Sequence, residues 1–205
     1  IRPEDIQSKL FETAKLFHFG SLSLVQDPGR ETTYHCLDLA ESMNLPVSYD
    51  PNYRPALWAS ESAAIESMCA PLDRVDLLKV SEEELLLLTG ETDLEKACRK
   101  IASRGPEILV VTLGAEGLFG WTPDFSERVP GVKVKPVDTT GCGDASMAGL
   151  LSYLLKNHPE DLSNRKVPQE GFRKALAFAN RCASHAATIQ GAIPSLPREG
   201  EVEWE

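Results

Sequence analysis

The sequence has few of the features that mark a secreted, metal-binding or membrane protein. Its five cysteines are an odd number with no Cys-x-x-Cys pair, which favours reduced thiols over a disulfide framework or a zinc site. The four histidines are scattered, without the spacing of metal ligands. No apolar run approaches membrane-spanning length, and the first residues form neither a basic nor a hydrophobic leader segment. These absences predict a cytoplasmic protein.

Positively charged residues are fewer than negatively charged ones. Lysine and arginine together number 21 against 31 aspartates and glutamates, and the formal net charge is −10. Nucleic acids and anionic membranes are bound through clustered Lys and Arg, so neither is an expected partner. A nucleotide ligand remains compatible with this charge, because a few local N–H groups and Mg²⁺ are enough to bind it.

The hydrophobic pattern predicts an α/β protein. A chain of 205 residues with 42% hydrophobic residues is long enough for one well-filled core, so a single domain over residues 1–205 is expected. Strands and helices alternate, which predicts a doubly wound, mostly parallel sheet with helices on both faces, three layers in all. The predicted strands are 16–20, 47–50, 76–80, 108–113, 117–121 and 132–137, and the predicted helices include 2–15, 29–43, 60–70, 93–104 and 169–189.

The most informative stretch is Asp138-Thr139-Thr140-Gly141-Cys142-Gly143-Asp144. Glycines 141 and 143 allow a tight turn in which several peptide N–H groups point into one cavity at a helix N-terminus, and such a cavity suits phosphate. Asp144 has two interpretations. It is either a helix-capping aspartate or a general base beside an anion pocket, taking a proton from an alcohol that attacks a phosphoryl group.

Four other places carry candidate site residues, each with a plainer alternative. Asn52 and Arg54 follow the strand 47–50, where open α/β sheets bind ligands, or they belong to a solvated turn. Ser81 and Glu84 have the spacing of a capping box. Gly114 and Gly117 form a GxxG that is more often a hairpin turn than a nucleotide contact. Asn180 lies in a predicted helix, where an asparagine is usually solvated.

Several of these motifs resemble one family. The string DTTGCGD followed by a helix of small residues resembles the second signature of the ribokinase-like carbohydrate kinases, usually DTTGAGD. The segment DPNYRPALW at 50–58 resembles the DPN-x-R-x-x-LW of fructokinases and 2-keto-3-deoxygluconate kinases. The resemblance implies a ribokinase-like fold, with Asp144 as the catalytic base and Gly141, Cys142 and Gly143 as the anion hole. Cys142 departs from the usual alanine but is small enough to fit.

The resemblance also implies ATP, Mg²⁺ and K⁺ as ligands. Thr112, Gly114, Gly117 and Asn180 would contact the nucleotide, and Glu84 would hold Mg²⁺ through water, with Ser81 standing where the family usually has asparagine. Asn52 and Arg54 would border the sugar and phosphate. A monovalent cation would be enclosed by six residues, namely Asp138, Thr140, Ala186, Ile189, Gly191 and Ser195.

The implied reaction is the ATP-dependent phosphorylation of fructose to fructose 6-phosphate. The alternatives are a related sugar acid such as 2-keto-3-deoxygluconate as the substrate, or a catalytically silent binding or scaffold protein. The family's first strands, its β-sheet lid and most of its sugar contacts lie before the region that this chain resembles. The chain is therefore expected to be the nucleotide-binding, C-terminal portion of a kinase that is inactive alone, and a homodimer of the full-length protein is a further option.

Overall fold

A computed structural model describes residues 1–204, and the chain divides into two compact units, Ile1–Val110 and Val111–Glu205. Six strands form one sheet in chain order: β1 (Phe17–Gly20), β2 (Val47–Asp50), β3 (Leu77–Ser81), β4 (Ile108–Thr112), β5 (Gly117–Trp121) and β6 (Ser126–Pro130). The pairs β1–β2 and β2–β3 are parallel, and β5–β6 is antiparallel. The α/β class predicted from the sequence is confirmed, and the sheet is mixed.

Nine α-helices are present among residues 1–204: α1 (Lys9–Thr13), α2 (Gly29–Ser42), α3 (Glu61–Cys69), α4 (Glu82–Thr89), α5 (Leu94–Ala102), α6 (Cys142–Asn157), α7 (Pro159–Ser163), α8 (Gln169–Ala187) and α9 (Ala192–Ser195). Short 3-10 turns occupy Pro3–Asp5, Ser21–Leu24, Pro55–Leu57, Leu72–Arg74 and Gly114–Glu116. In the part of the chain that the structure describes, none of the helices has the length and apolar character needed to cross a bilayer.

The core of the first unit is built on buried strands. All four residues of β2 are buried, including the polar Ser48 and Asp50, as expected of a strand that is covered on both faces. Phe19 and Tyr49 lie opposite each other in the β1–β2 register, and their rings stack with centroids 4.4 Å apart. These strands bring their carboxyl ends to one edge of the unit, where the loop that follows β2 begins.

The core of the second unit is the packing of α6 on α8, and α8 also packs against β5 and β6. The two helices approach closely at Gly149, where an added Cβ would lie 2.8 Å from the Cys182 sulfur and 3.1 Å from the Ala179 Cα. In β5, a Cβ at Gly120 would lie 2.6 Å from both Phe172 and Leu176 of α8. Glycine thus sets the close approach of α8 to its neighbours.

The predicted helix over residues 2–15 is wrong. Residues Pro3–Asp5 form one 3-10 turn, Ile6 is extended with φ −80° and ψ 121°, and the α-helix that follows covers only Lys9–Thr13. Phe11 is the one buried residue of these two elements, while Leu10 is 61% exposed. A helix needs an apolar face to pack, because helix nucleation is unfavourable and propensity alone does not stabilise short segments.

The predicted strand over residues 132–137 is also wrong. The partner of β5 is Ser126–Pro130, reached through a tight turn in which the Thr122 N–H donates to the Phe125 carbonyl at 2.9 Å. The alternating valines that suggested a strand are exposed, with Val132 at 45% and Val137 at 65%. An alternating segment forms a strand only where it can pair with another strand. The free edge of β5 is already paired with β6 through the hairpin turn.

Gly149→Ala tests the close packing of α6 on α8. The added methyl group has no room beside Cys182, so we expect a loss of about 1–3 kcal/mol in the free energy of unfolding, measured by urea denaturation. Ser152→Ala, on the exposed side of the same helix, is the control and should change this free energy by less than ~0.5 kcal/mol. A Gly149→Ala protein as stable as the unaltered one would contradict the packing described.

Candidate functional site

The turn before α6 depends on Gly141. This residue is the helix N-cap and lies in the left-handed region with φ 86° and ψ −5°, which costs a residue with a side chain more than it costs glycine. A Cβ at this position would also lie 3.2 Å from both the Cα and the carbonyl oxygen of Ala192. Glycine is therefore favoured at this turn for two reasons, its backbone conformation and its tight contact with Ala192.

The first turn of α6 presents free N–H groups. The Cys142 N–H donates to the Thr139 carbonyl at 3.2 Å, whereas the N–H groups of Gly143 and Asp144 have no hydrogen-bond acceptor within residues 1–204. α6 is 16 residues long, so its dipole adds a partial positive charge at this end. The turn can therefore bind an anion through the N–H groups of residues 143 and 144.

Asp144 lies beside these donors in the first turn of α6 and is exposed. Gly141 provides no side-chain cap, and the carboxylate of Asp144 makes no hydrogen bond or ion pair with another described residue. Asp144 thus makes no capping hydrogen bond, and its place in the first turn of α6 is one where the helix dipole favours a carboxylate in either interpretation. Its carboxylate is free to accept a proton from a molecule bound at the turn.

Asp138 joins the turn to a distant segment. Its Oδ1 accepts from the Thr140 N–H and its Oδ2 from the Gly191 N–H, both at 2.9 Å. Hydrogen bonding from Thr140, and then from Gly191, lowers the pKa of this carboxyl below its usual value. The carboxylate thus stays ionised and brings together two parts of the chain that the sequence analysis had assigned to one cation site.

The remaining residues of that predicted cation site lie on the segment that Asp138 reaches. The N–H groups of Val137 and Asp138 donate to the Ala187 carbonyl at 2.7 and 3.3 Å, and the Ala186 carbonyl accepts from the Ile189 N–H at 3.1 Å. Ser195 is buried and donates its hydroxyl to the Ala192 carbonyl at 2.8 Å. The six predicted residues therefore lie on two connected segments of the second unit.

The predicted nucleotide contacts have separate environments in the second unit. Gly114 is exposed with φ 57° and open space around it, whereas a Cβ at Gly117 would lie 2.1 Å from the Val129 carbonyl oxygen. Gly117 is thus needed for the β5–β6 hairpin. Asn180 is buried and donates to the Pro130 carbonyl at 2.7 Å, so the alternative of a solvated helix asparagine is wrong. Thr112 ends β4 and is half-buried.

The other predicted site residues belong to the first unit. Ser81 and Glu84 form the predicted capping box: the Glu84 N–H donates to the Ser81 hydroxyl at 3.1 Å, and the Ser81 N–H donates to the Glu84 carboxylate at 2.8 Å. Asn52 is half-buried with φ 50°, and Arg54 is exposed and donates to the Tyr53 carbonyl at 3.1 Å. Their loop and the capping box are in direct contact, since the Tyr53 N–H donates to Glu84 at 2.6 Å.

Sequence reasoning missed a buried ion pair beside this loop. Lys79 of β3 donates to the Asp50 carboxylate of β2 at 2.5 Å, and both side chains are less than a tenth exposed. The signal was available, because a charged residue in each of two otherwise apolar strands is costly unless the two are paired. Ser21 is also fully buried beside this loop, and it donates its hydroxyl to the Pro51 carbonyl.

All five cysteines are free, and Cys142 is the one that is partly exposed. Burial raises the pKa of Cys98 to about 12 and that of Cys182 to about 11. Burial and, to a smaller extent, the charge of Asp138 raise the pKa of Cys142. Within residues 1–204, no group of three or more His, Cys, Asp or Glu side chains is arranged to hold a metal ion.

The α/β fold and the glycine turn before α6 agree with the class of protein that the sequence resembles, the carbohydrate kinases. The sequence profile described as "pfkB family carbohydrate kinase" matches residues 2–199, and the chain belongs to that family. It is 39% identical over 202 residues to "Probable fructokinase-7" of Arabidopsis thaliana, covering 97% of this chain and 57% of that protein. The chain thus spans little more than half the length of this relative.

Solved structures agree with this assignment. A fructokinase double mutant from Vibrio cholerae O395, crystallised with fructose, ADP and a potassium ion, is 32% identical with a TM-score of 0.87, over 99% of this chain and 64% of that one. A fructokinase from Xylella fastidiosa with bound ATP is 27% identical with a TM-score of 0.88, over 96% of this chain and 62% of that one. The predicted membership of the ribokinase-like carbohydrate kinases is confirmed.

Brief alkylation with iodoacetamide tests the exposure of Cys142. We expect peptide mass spectrometry to find Cys142 modified before the four buried cysteines, at a rate below that of a free thiol at pH 8, because a raised pKa leaves less thiolate. The rate should rise with pH. Cys142→Ala, which restores the usual residue of the motif, is the control and should remove the early label. Modification of Cys98 ahead of Cys142 would contradict the burial described.

Proposed function

We propose that this chain is the nucleotide-binding portion of an ATP-dependent sugar kinase that phosphorylates a hydroxyl of fructose to give fructose 6-phosphate. The observation that carries the proposal is the start of α6, where free N–H groups of Gly143 and Asp144 lie beside the unpaired carboxylate of Asp144. Family membership supports the same reaction class. The chain spans 57% of the length of its relative "Probable fructokinase-7". The activity is therefore proposed for the whole natural protein that contains this chain.

Asp144 acts as the general base. Its carboxylate accepts the proton of the attacking sugar hydroxyl, while the N–H groups of the turn stabilise the negative charge on the transferred phosphoryl oxygens. Gly141 and Cys142 complete the backbone of this anion hole, and Gly141 fixes its direction. Preorganised donors are effective here because the backbone pays no reorganisation cost during the reaction.

Thr112, Gly114 and Gly117 are proposed to border ATP, together with the region of Asn180. The open space around Gly114 supports an approach of the nucleotide to the backbone. Gly117 and Asn180 would act mainly by holding β6, since both contact its last residues. Glu84, with Ser81 beside it, is the residue proposed to hold the water shell of Mg²⁺, which would supply positive charge to offset that of the phosphates.

A monovalent cation is proposed beside the anion hole, at Asp138, Thr140, Ala186, Ile189, Gly191 and Ser195. The ionised carboxylate of Asp138 and the backbone carbonyls of the 186–195 segment are hard oxygen donors of the kind that such a cation needs. The related fructokinase that was crystallised with potassium supports K⁺ as the ion. The cation would stiffen the turn through position and would take no part in the chemistry.

The sugar is proposed to contact Asn52 and Arg54. Neither side chain is held by a charged partner in the described structure, and Arg54 projects into solvent from a loop fixed by its backbone. The relatives named fructokinase support fructose as the substrate. The five free cysteines support a reducing compartment such as the cytoplasm.

Asp144→Asn tests the base. We expect kcat to fall by ~10²–10⁴-fold with little change in the KM values for fructose and ATP, because the variant keeps the shape of the side chain but cannot take the proton. A coupled assay for ADP measures this. Glu61→Gln, also an exposed acid in a first helical turn, is the matched control and should retain kcat. Activity of Asp144→Asn within a factor of a few of the unaltered protein would refute the assignment.

Potassium activation tests the cation site. Replacing K⁺ by tetramethylammonium at constant ionic strength should raise the KM for ATP and lower the rate, because the turn then loses the ion that stiffens it. In Asp138→Asn the difference between the two salts should largely disappear. Equal rates of the unaltered protein in both salts would show that no such cation is used.

A further inference from the structure

Glu84 makes a contact that a helix cap does not need. Its Oε2 accepts from the Ser81 N–H at 2.8 Å, which closes the capping box, while its Oε1 accepts from the Tyr53 N–H at 2.6 Å. Tyr53 lies 31 residues away in sequence, in the loop after β2. The second oxygen therefore belongs to the loop, and the bond is of the strong, charge-assisted kind.

The loop is also held at its beginning. The Pro51 carbonyl accepts from both the N–H and the hydroxyl of the fully buried Ser21, and the buried carboxylate of Asp50 accepts from Lys79. Pro51 and Tyr53 are thus fixed through their backbones on either side of Asn52. Fixing both neighbours keeps Asn52 at its positive φ of 50°, a conformation that asparagine tolerates better than most residues.

All of these anchors bind the backbone or Asp50 and leave the side chains of Asn52 and Arg54 for a ligand. Within residues 1–204 no hydrogen bond to the Asn52 amide is present, and Arg54 donates only to the carbonyl of its neighbour Tyr53. Each backbone anchor thus limits where these two polar side chains can point. The arrangement is that of a loop whose polar groups are preorganised for a polar ligand.

We propose that Glu84 is a positioning residue for the sugar, which acts by holding the backbone of Tyr53 and so fixing Asn52 and Arg54. This inference rests on the proposed function in its substrate, a sugar bound at Asn52 and Arg54. It is additional to the role proposed above for Glu84 in holding the water shell of Mg²⁺, because this effect acts through the Tyr53 N–H on the residues that contact the sugar. Both oxygens of the carboxylate already serve backbone donors.

Glu84→Gln tests the anchor, because one end of the amide cannot accept a hydrogen bond from an N–H. The first measurement is hydrogen exchange at the Tyr53 amide by NMR, which we expect to become about tenfold faster or more once a bond to a charged acceptor is lost. The second is kinetics, where the KM for fructose should rise several-fold, whereas a role of Glu84 confined to the water shell of Mg²⁺ would change only the half-saturating Mg²⁺ concentration.

Two further variants keep the test sharp. Glu83→Gln, an exposed neighbour in the same first turn of α4, is the matched control and should leave the Tyr53 exchange rate and the fructose KM unchanged. Glu84→Asp keeps the charge but shortens the side chain, so it should release Tyr53 in the same way. Unchanged exchange at the β3 amides shows that a variant is folded. If Glu84→Gln does not fold by this criterion, Glu84→Asp is used in its place.

The outcomes separate the possibilities. An unchanged Tyr53 exchange rate in Glu84→Gln would overturn the proposed anchor. If the Mg²⁺ requirement alone changed, Glu84 would act only on the metal. Faster exchange at Tyr53 with an unchanged fructose KM would overturn the link to the sugar. If the unaltered polypeptide phosphorylated no fructose, the proposed function and its sugar would fail, while the Tyr53 exchange rate would still decide whether Glu84 holds the loop.

Discussion

The left-handed conformation of Gly141 is the constraint on which the candidate site depends. It lets the chain turn from Thr140 into α6 while the backbone passes close to Ala192, where a Cβ would lie 3.2 Å from the Ala192 Cα. α6 then starts with free N–H groups next to a free carboxylate, and the helix dipole points at the same place. A change in this one backbone conformation would move the donors, the base and the contact with the 186–195 segment together.

Carboxylates that accept from backbone N–H groups recur in both units. Asp138 reaches Gly191 over 53 residues of sequence, Glu84 reaches Tyr53 over 31, and Asp76 accepts from the Val47 N–H over 29. Each of these bonds fixes a loop or a strand end through its main chain, so the side chains of that segment remain available for other contacts. Such bonds are among the stronger hydrogen bonds, because the acceptor carries a charge.

The predictions that failed show where local patterns are insufficient. The spacing of Ile6, Leu10 and Phe11 predicts a helix over residues 2–15, but only Phe11 is buried and the helix stops at five residues. The alternating valines of residues 132–137 predict a strand, but the hairpin closed by Thr122 gives the place beside β5 to Ser126–Pro130. In both cases the deciding factor was whether a packing partner existed, which a local pattern does not contain.

The sequence by itself determined the features that depend on neighbours in the chain. These are the α/β alternation, the capping box of Ser81 and Glu84, and the glycine turn that opens α6 on Asp144. Only the tertiary structure decided that Asp138 binds Gly191, that Glu84 holds Tyr53 and that Lys79 pairs with Asp50. The physical reason is that the first two bonds use backbone N–H groups, which every residue except proline offers alike, so their choice of partner is made only when the chain is folded.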